Sequence, residues 1–163
     1  MPFDASALTH STTLKTKVVL SVEPQKTPER MLGAANLKMT SFYSPLNGPY
    51  FLREFEQYST LPKYRVVAHA IQFHEERLQD IRRKMWQDRR LRSSLLVELI
   101  HYAMENLELD PDIRIFSTMP YKLNDDAYCT VLRTEEGERY IGPYWWGAKA
   151  VQEKDFFLGI EYP

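Results

Sequence analysis

Apolar and polar positions alternate in LKTKVVLSVE, residues 14–23: Leu14, Thr16, Val18, Leu20 and Val22 share one face, while Lys15, Lys17, Ser21 and Glu23 mostly fill the other. A period of two among β-branched residues predicts a half-buried strand. Pro24 ends it, and Thr27-Pro28-Glu29 places a capping side chain before a proline at the first helical position, predicting a short helix to about Gly33. A second strand is expected near Asn36 to Phe42. In SPLNGPY, residues 44–50, two prolines fix φ and Asn47-Gly48 tolerates positive φ, so a turn is expected there. Phe51, Phe55 and Tyr58 recur at helical spacing and predict a short amphipathic helix whose aromatic side packs on the core.

From Lys63 to Asp110 the chain contains neither glycine nor proline. Pro62, preceded by Ser59 and Thr60, can start a helix, and Pro111 can stop one, because the residue before proline is pushed out of the α region. At about 100° per residue, Val67, Ile71, His74, Leu78, Ile81 and Met85 fall on one stripe, as do Leu96, Leu99, Ala103 and Leu107. Asp88, Arg89 and Arg92 occupy the positions between them. Two geometries explain this interruption. One is a continuous helix of roughly 70 Å at about 1.5 Å per residue, whose middle would need solvent or a partner. The other is a hairpin of two helices meeting near Asp88 to Ser94, with Ser93 or Ser94 capping the second.

After Pro111 the pattern turns to strands: residues 113–119, 127–134, 138–146 and 155–162. Glu135-Glu136-Gly137 suits a tight hairpin with Gly137 in the left-handed conformation. Strand-helix-strand alternation is lacking, so the expected class is α+β. The expected architecture is a long helix or helical hairpin packed on a small antiparallel sheet of three to five strands. Residues 1–13, rich in Ser, Thr and Ala, read as a flexible N-terminal arm, and residues 14–163 as a single α+β domain.

Composition narrows the class without naming an activity. With 44% hydrophobic and 26% charged residues the chain has a globular balance. A net charge of −1 excludes a protein that coats nucleic acid or anionic membrane with its whole surface, leaving room only for a local patch. Cys129 is the single cysteine, so intramolecular disulfides and Cys-x-x-Cys redox sites are excluded. The N-terminus lacks the basic and apolar regions of a signal peptide, and no segment reaches the roughly 18 apolar residues needed to span a bilayer. A cytoplasmic protein without membrane partners is expected.

Candidate chemistry is sparse. His69 and His74 are five apart and diverge on a helix, whereas a helical zinc pair needs four. His74 reads as a core histidine, and His69 and His101 as outward-pointing. Cys129 lies mid-strand and reads as a buried structural thiol. Asp110, Asp112, Asp125 and Asp126 read as turn residues and not as a cation site. There is no phosphate-binding glycine loop and no nucleophile elbow. No catalytic residue, metal or cofactor is therefore assigned.

Two features remain. Between Arg77 and Arg92 stand seven cations, Arg77, Arg82, Arg83, Lys84, Arg89, Arg90 and Arg92, against Asp80 and Asp88. Residues 110–163 are by contrast net acidic. On a continuous helix these cations would form a collar and not a face, which suits a solvated segment with the helical pairs Asp80 with Lys84 and Asp88 with Arg92, or an acidic partner. The second feature is YIGPYWW, residues 140–146. Alternation sends Tyr140, Tyr144 and Trp146 one way and Ile141, Pro143 and Trp145 the other, and Gly142-Pro143 marks an edge or bulge. The first expectation is a non-enzymatic interaction or assembly subunit, oligomeric or bound to a protein partner. Its contacts would be Arg82, Arg83, Lys84, Trp86, Arg89, Arg90 and Arg92 with the aromatic edge Tyr144, Trp145 and Trp146. The second is a nucleic-acid-associated protein that binds phosphates through Arg77 to Arg92 and stacks on Trp86.

Overall fold

The computed structural model describes residues 14–39, 57–73, 77–123, 125–147 and 153–162. The predicted arm 1–13, the turn at 44–50 and most of the aromatic helix starting at Phe51 lie outside them. In chain order the elements are β1 (Lys17–Val22), α1 (Pro28–Ala34), β2 (Lys38–Met39), β3 (Tyr64–Ile71), α2 (Leu78–Arg89), β4 (Leu91–Ser93), α3 (Leu96–Met104), β5 (Arg114–Leu123), β6 (Asp126–Glu135), β7 (Glu138–Trp145) and β8 (Asp155–Glu161). Eight strands form one mixed sheet in the order β1-β3-β8-β5-β6-β7-β2, with β4 also paired to β8. Most neighbours are antiparallel, but β5 runs parallel to β8 and β2 parallel to β7.

This overturns the expected architecture. The described residues contain no long helix or helical hairpin, and the sheet is neither small nor wholly antiparallel. Tyr64–Ile71, placed on the helical stripe by its sequence, is a strand paired on both sides, with β1 and with β8. Its apolar residues sit on both faces, Ala68 and Ala70 in the cluster under α1 and α3 and Ile71 against the one under α2, which blurs the one-sided alternation that marks a half-exposed strand. The helix that follows stops at Arg89 without glycine or proline. Arg90 takes the left-handed conformation (φ 55°, ψ 38°), and its N–H bonds back to Trp86 O at 3.0 Å. The next three residues pair with β8. Nor do Ser93 or Ser94 cap α3: the capping position is Leu95, whose N–H donates to the Glu98 carboxylate at 2.8 Å.

Elsewhere local signals and structure agree. Thr27 caps α1 by accepting from the Arg30 N–H, with Pro28 at the first position. β6 and β7 are joined by Glu136 and Gly137, both at positive φ (50° and 78°), the two-residue turn whose twist matches that of paired strands. Among the described residues β2 pairs with β7 only at Tyr140 and Ile141, and no described strand meets Pro143 on that edge.

Two apolar clusters flank the sheet. On one side α1 and α3 cover Leu20, Val22, Ala68, Leu158 and Ile160. On the other, α2 sets Leu78, Ile81 and Met85 against Phe116, Val131 and Phe157. Close approach on this second side needs Gly159, since a Cβ there would stand 2.9 Å from the Leu91 Cβ. Strand β8 also changes partners halfway. Residues up to Leu158 pair with β5, and from Gly159 onward the same edge pairs with β4, while β5 leaves the register between Ser117 and Tyr121. Ser93 Oγ and Thr118 Oγ1, 2.7 Å apart, pin the fork where the two strands part.

Candidate cationic and aromatic cleft

Helix α2 is amphipathic in an unusual sense. Its inner side is Leu78, Ile81 and Met85, all fully buried, and its outer side presents Gln79, Arg82, Arg83 and Trp86 at helical spacing. These four residues form one wall of a cleft of about 670 Å³. Its floor is β4 at Leu91 and Ser93, and its far wall is the β5 irregularity at Met119 and Pro120 together with Trp146. The fork in the sheet is thus what opens the cleft, and no carboxylate lines it among the described residues.

Of the predicted contact residues, the structure brings Arg82, Arg83, Trp86, Arg92 and Trp146 to this one place. Arg82 has no acidic partner among the described residues, whereas Arg83 is paired with Asp80. Trp86 is 43% exposed, with Arg90 over its ring at 5.4 Å and Tyr162 meeting it edge-on at 5.5 Å. Lys84 is half-buried on the flank of α2. At the aromatic edge, Tyr144 and Trp146 pack against the cluster under α2, with Tyr144 edge-on to Phe116 at 5.0 Å, while Trp145 is 57% exposed and does not reach the cleft.

Arg92 is not a free contact cation. It points toward α3, where both its terminal nitrogens donate to the Glu98 carboxylate at 2.8 and 2.7 Å. Glu98 is fully buried and also accepts from the Tyr64 hydroxyl at 3.0 Å. Hydrogen bonding to Glu98 raises the Arg92 pKa, and desolvation beside that carboxylate raises the Tyr64 phenol. The cation standing where a helical stripe calls for leucine therefore answers a buried carboxylate from the next element. The expected surface pair of Asp88 with Arg92 is replaced by this internal one.

The basic surface extends beyond the cleft through residues that sequence reasoning missed. Register sets Lys17 beside His69, Val19 beside Val67 and Ser21 beside Arg65, all on the face of the sheet that carries α2. Leu91 continues the cleft into a hollow lined by Arg89, Arg90 and His69, and Tyr162 joins that hollow to a third one lined by Arg65 and Val19. Arg65, Lys17 and Arg89 have no carboxylate partner among the described residues. The carboxylate in this run, Glu161, is taken by His69 at 2.6 Å. Lys17 and Arg65 do alternate with apolar neighbours in sequence, but only the pairing of β1 with β3 aligns them with α2.

The remaining chemical candidates are structural. His101, expected to point outward, is buried: Nδ1 donates to Val97 O at 2.8 Å and Nε2 accepts from the Glu23 N–H at 3.1 Å. Desolvation lowers its pKa and keeps the ring neutral. Cys129 is buried in β6, which pushes its thiol up to about 12. Asp110 is bound by Lys154 at 2.7 Å, and no group of three or more metal-ligating side chains occurs among the described residues. His74 lies outside the described residues.

Fold and cleft together define an α+β protein with an eight-stranded mixed sheet and a cationic, aromatic groove on one face. Comparison with family models, with curated proteins and with solved structures finds no match for this chain. No helix among the described residues is long and apolar enough to cross a membrane.

Proposed function

We propose that this protein binds single-stranded nucleic acid along the groove that runs from Trp146 past Trp86 and Tyr162 to Arg65. The observation that carries this reading is the continuity of the three hollows, in which arginines and aromatic rings alternate over a path longer than one small ligand. A strand with unstacked bases uses both features, since cations neutralise phosphates and aromatic faces accept bases of any sequence. Arginine suits the role because its planar group binds phosphate oxygens and stacks as well. Patches of this kind act locally, so a chain of net charge −1 can carry one.

An acidic protein partner, the other expectation, would use the same cations. Pairing of Arg92 with Glu98 removes a cation from both readings, but the aromatic edge expected to meet a protein partner has also lost Trp145, which lies away from the groove. The test is titration of fluorescent oligonucleotides across salt concentrations. Log affinity for a single strand should fall with log salt at about −0.7 per phosphate neutralised. Arg82→Glu and Arg89→Glu should each weaken binding and shallow that slope by about one phosphate. Absence of binding at low salt overturns the proposal. Tight binding of an acidic peptide with none of the oligonucleotide assigns the groove to a protein partner instead.

A further inference from the structure

We infer that the cleft at the fork of the sheet is a pocket for one unstacked nucleotide, with its base against Trp146 and its phosphate at Arg82. This rests on the strand-binding reading but says more, because it separates the cleft from the open groove. At about 670 Å³ the space falls in the range of pockets that take a small ligand. Leu91 and Leu95 contribute apolar lining, and the far wall sets Met119 and Pro120 beside Trp146. Those residues are held open there for a reason visible in the fold. Strand β5 leaves β8 after Ser117, and the Ser93 hydroxyl and Ser117 hydroxyl tie the divergence through Thr118 Oγ1 and Ser94 O at 2.7 Å each.

The opposite wall carries Arg82 and Arg83, while Arg92 on β4 is paired with Glu98. Arg82 and Arg83 stand one helical turn before Trp86, and of the two only Arg83 has a carboxylate partner among the described residues, so Arg82 is the cation available to a phosphate. Gln79, on the same wall, offers an amide that can both donate and accept, suited to a base edge or a ribose hydroxyl. A flat patch of arginines would bind phosphates of any polymer. A concave site with an indole on one side and an unpaired guanidinium on the other selects an anion that also carries a planar ring.

The experiment uses the full chain with Trp145→Phe, and reads the emission of Trp146 as the part of the signal that the further change Trp146→Phe removes. Adenosine 5′-monophosphate should quench its emission saturably, with inorganic phosphate at least about tenfold weaker. Arg82→Gln should lower that affinity severalfold, and Met119→Glu, at a position 36% exposed, should abolish it without unfolding the protein. An oligonucleotide with one abasic position in every site-length window should bind about tenfold more weakly than its intact counterpart. If the mononucleotide leaves Trp146 unchanged and abasic strands bind as tightly as intact ones, the pocket is refuted while strand binding stands. If the mononucleotide binds and no oligonucleotide does, strand binding is refuted and the pocket remains as a site for a free nucleotide.

Discussion

Replacing Arg92 by methionine should destabilise the protein far more than loss of a surface charge would. The substitution keeps much of the apolar stem and leaves the Glu98 carboxylate, which is fully buried, without its cation. Two unit charges about 4 Å apart attract by about 4 kcal/mol at an effective dielectric of about 20. Breaking a buried pair from one side commonly costs about 3 to 5 kcal/mol, and because the Arg92 side chain is 29% exposed the lower end applies. We therefore expect a loss of about 3 kcal/mol in urea unfolding with an unchanged denaturant slope. Glu98→Leu alone also breaks the pair and removes the acceptors of the Tyr64 hydroxyl and the Leu95 N–H. The double variant Arg92→Met with Glu98→Leu should lose less than the sum of the two, by about 2 kcal/mol or more. Lys38→Met provides the contrast, because its pair with Glu138 is largely exposed and solvent screening leaves it little to contribute. If Arg92→Met costs no more than Lys38→Met, the buried pair is not what holds β4 against α3, and Arg92 returns to the pool of contact cations.

His101 gives a pH prediction. Its folded pKa is held below the unfolded value of about 6.5, chiefly by desolvation, with Glu23 and Glu98 opposing and Lys26 adding to the shift. The unfolded chain then binds more protons, so this contribution is fully present above about pH 6.5 and is lost as pH falls toward the folded value. Thermal melts between about pH 8 and 5 should show the decline, and His101→Gln should flatten it; an unchanged profile contradicts the assignment. Gly159→Ala should cost about 1 to 3 kcal/mol, since its methyl would meet the Leu91 Cβ at 2.9 Å, and neutral behaviour in denaturation would show that β4 is free to shift. Glu136→Asn should stabilise the β6–β7 hairpin by about 0.5 to 1 kcal/mol, because Glu136 sits at φ 50° where asparagine is better tolerated; a lower melting temperature would count against the turn geometry.

What the sequence determined by itself is the set of elements whose signals are local. The Thr27-Pro28 start of α1, the alternation of β1, the positions of the four C-terminal strands and the Gly137 hairpin all follow from side-chain period and backbone chemistry within a few residues. From the same kind of signal, the groove's Arg82, Arg83, Trp86, Arg89, Arg90 and Trp146 were legible as contact candidates, although Met119 and Pro120 beside Trp146, and Arg65 at the far end, were not. Only the tertiary structure decided Tyr64–Ile71. That segment satisfies a helical stripe and a two-faced strand equally well, and its partner β8 lies about 90 residues away, so pairing energy and not local period selects the strand. Tertiary pairing also placed β8 in the middle of the sheet, forked β4 from β5 and so opened the cleft. It turned Arg92 inward as well, because a buried carboxylate on α3 needs a cation and β4 can deliver one only when it is a strand beside β8.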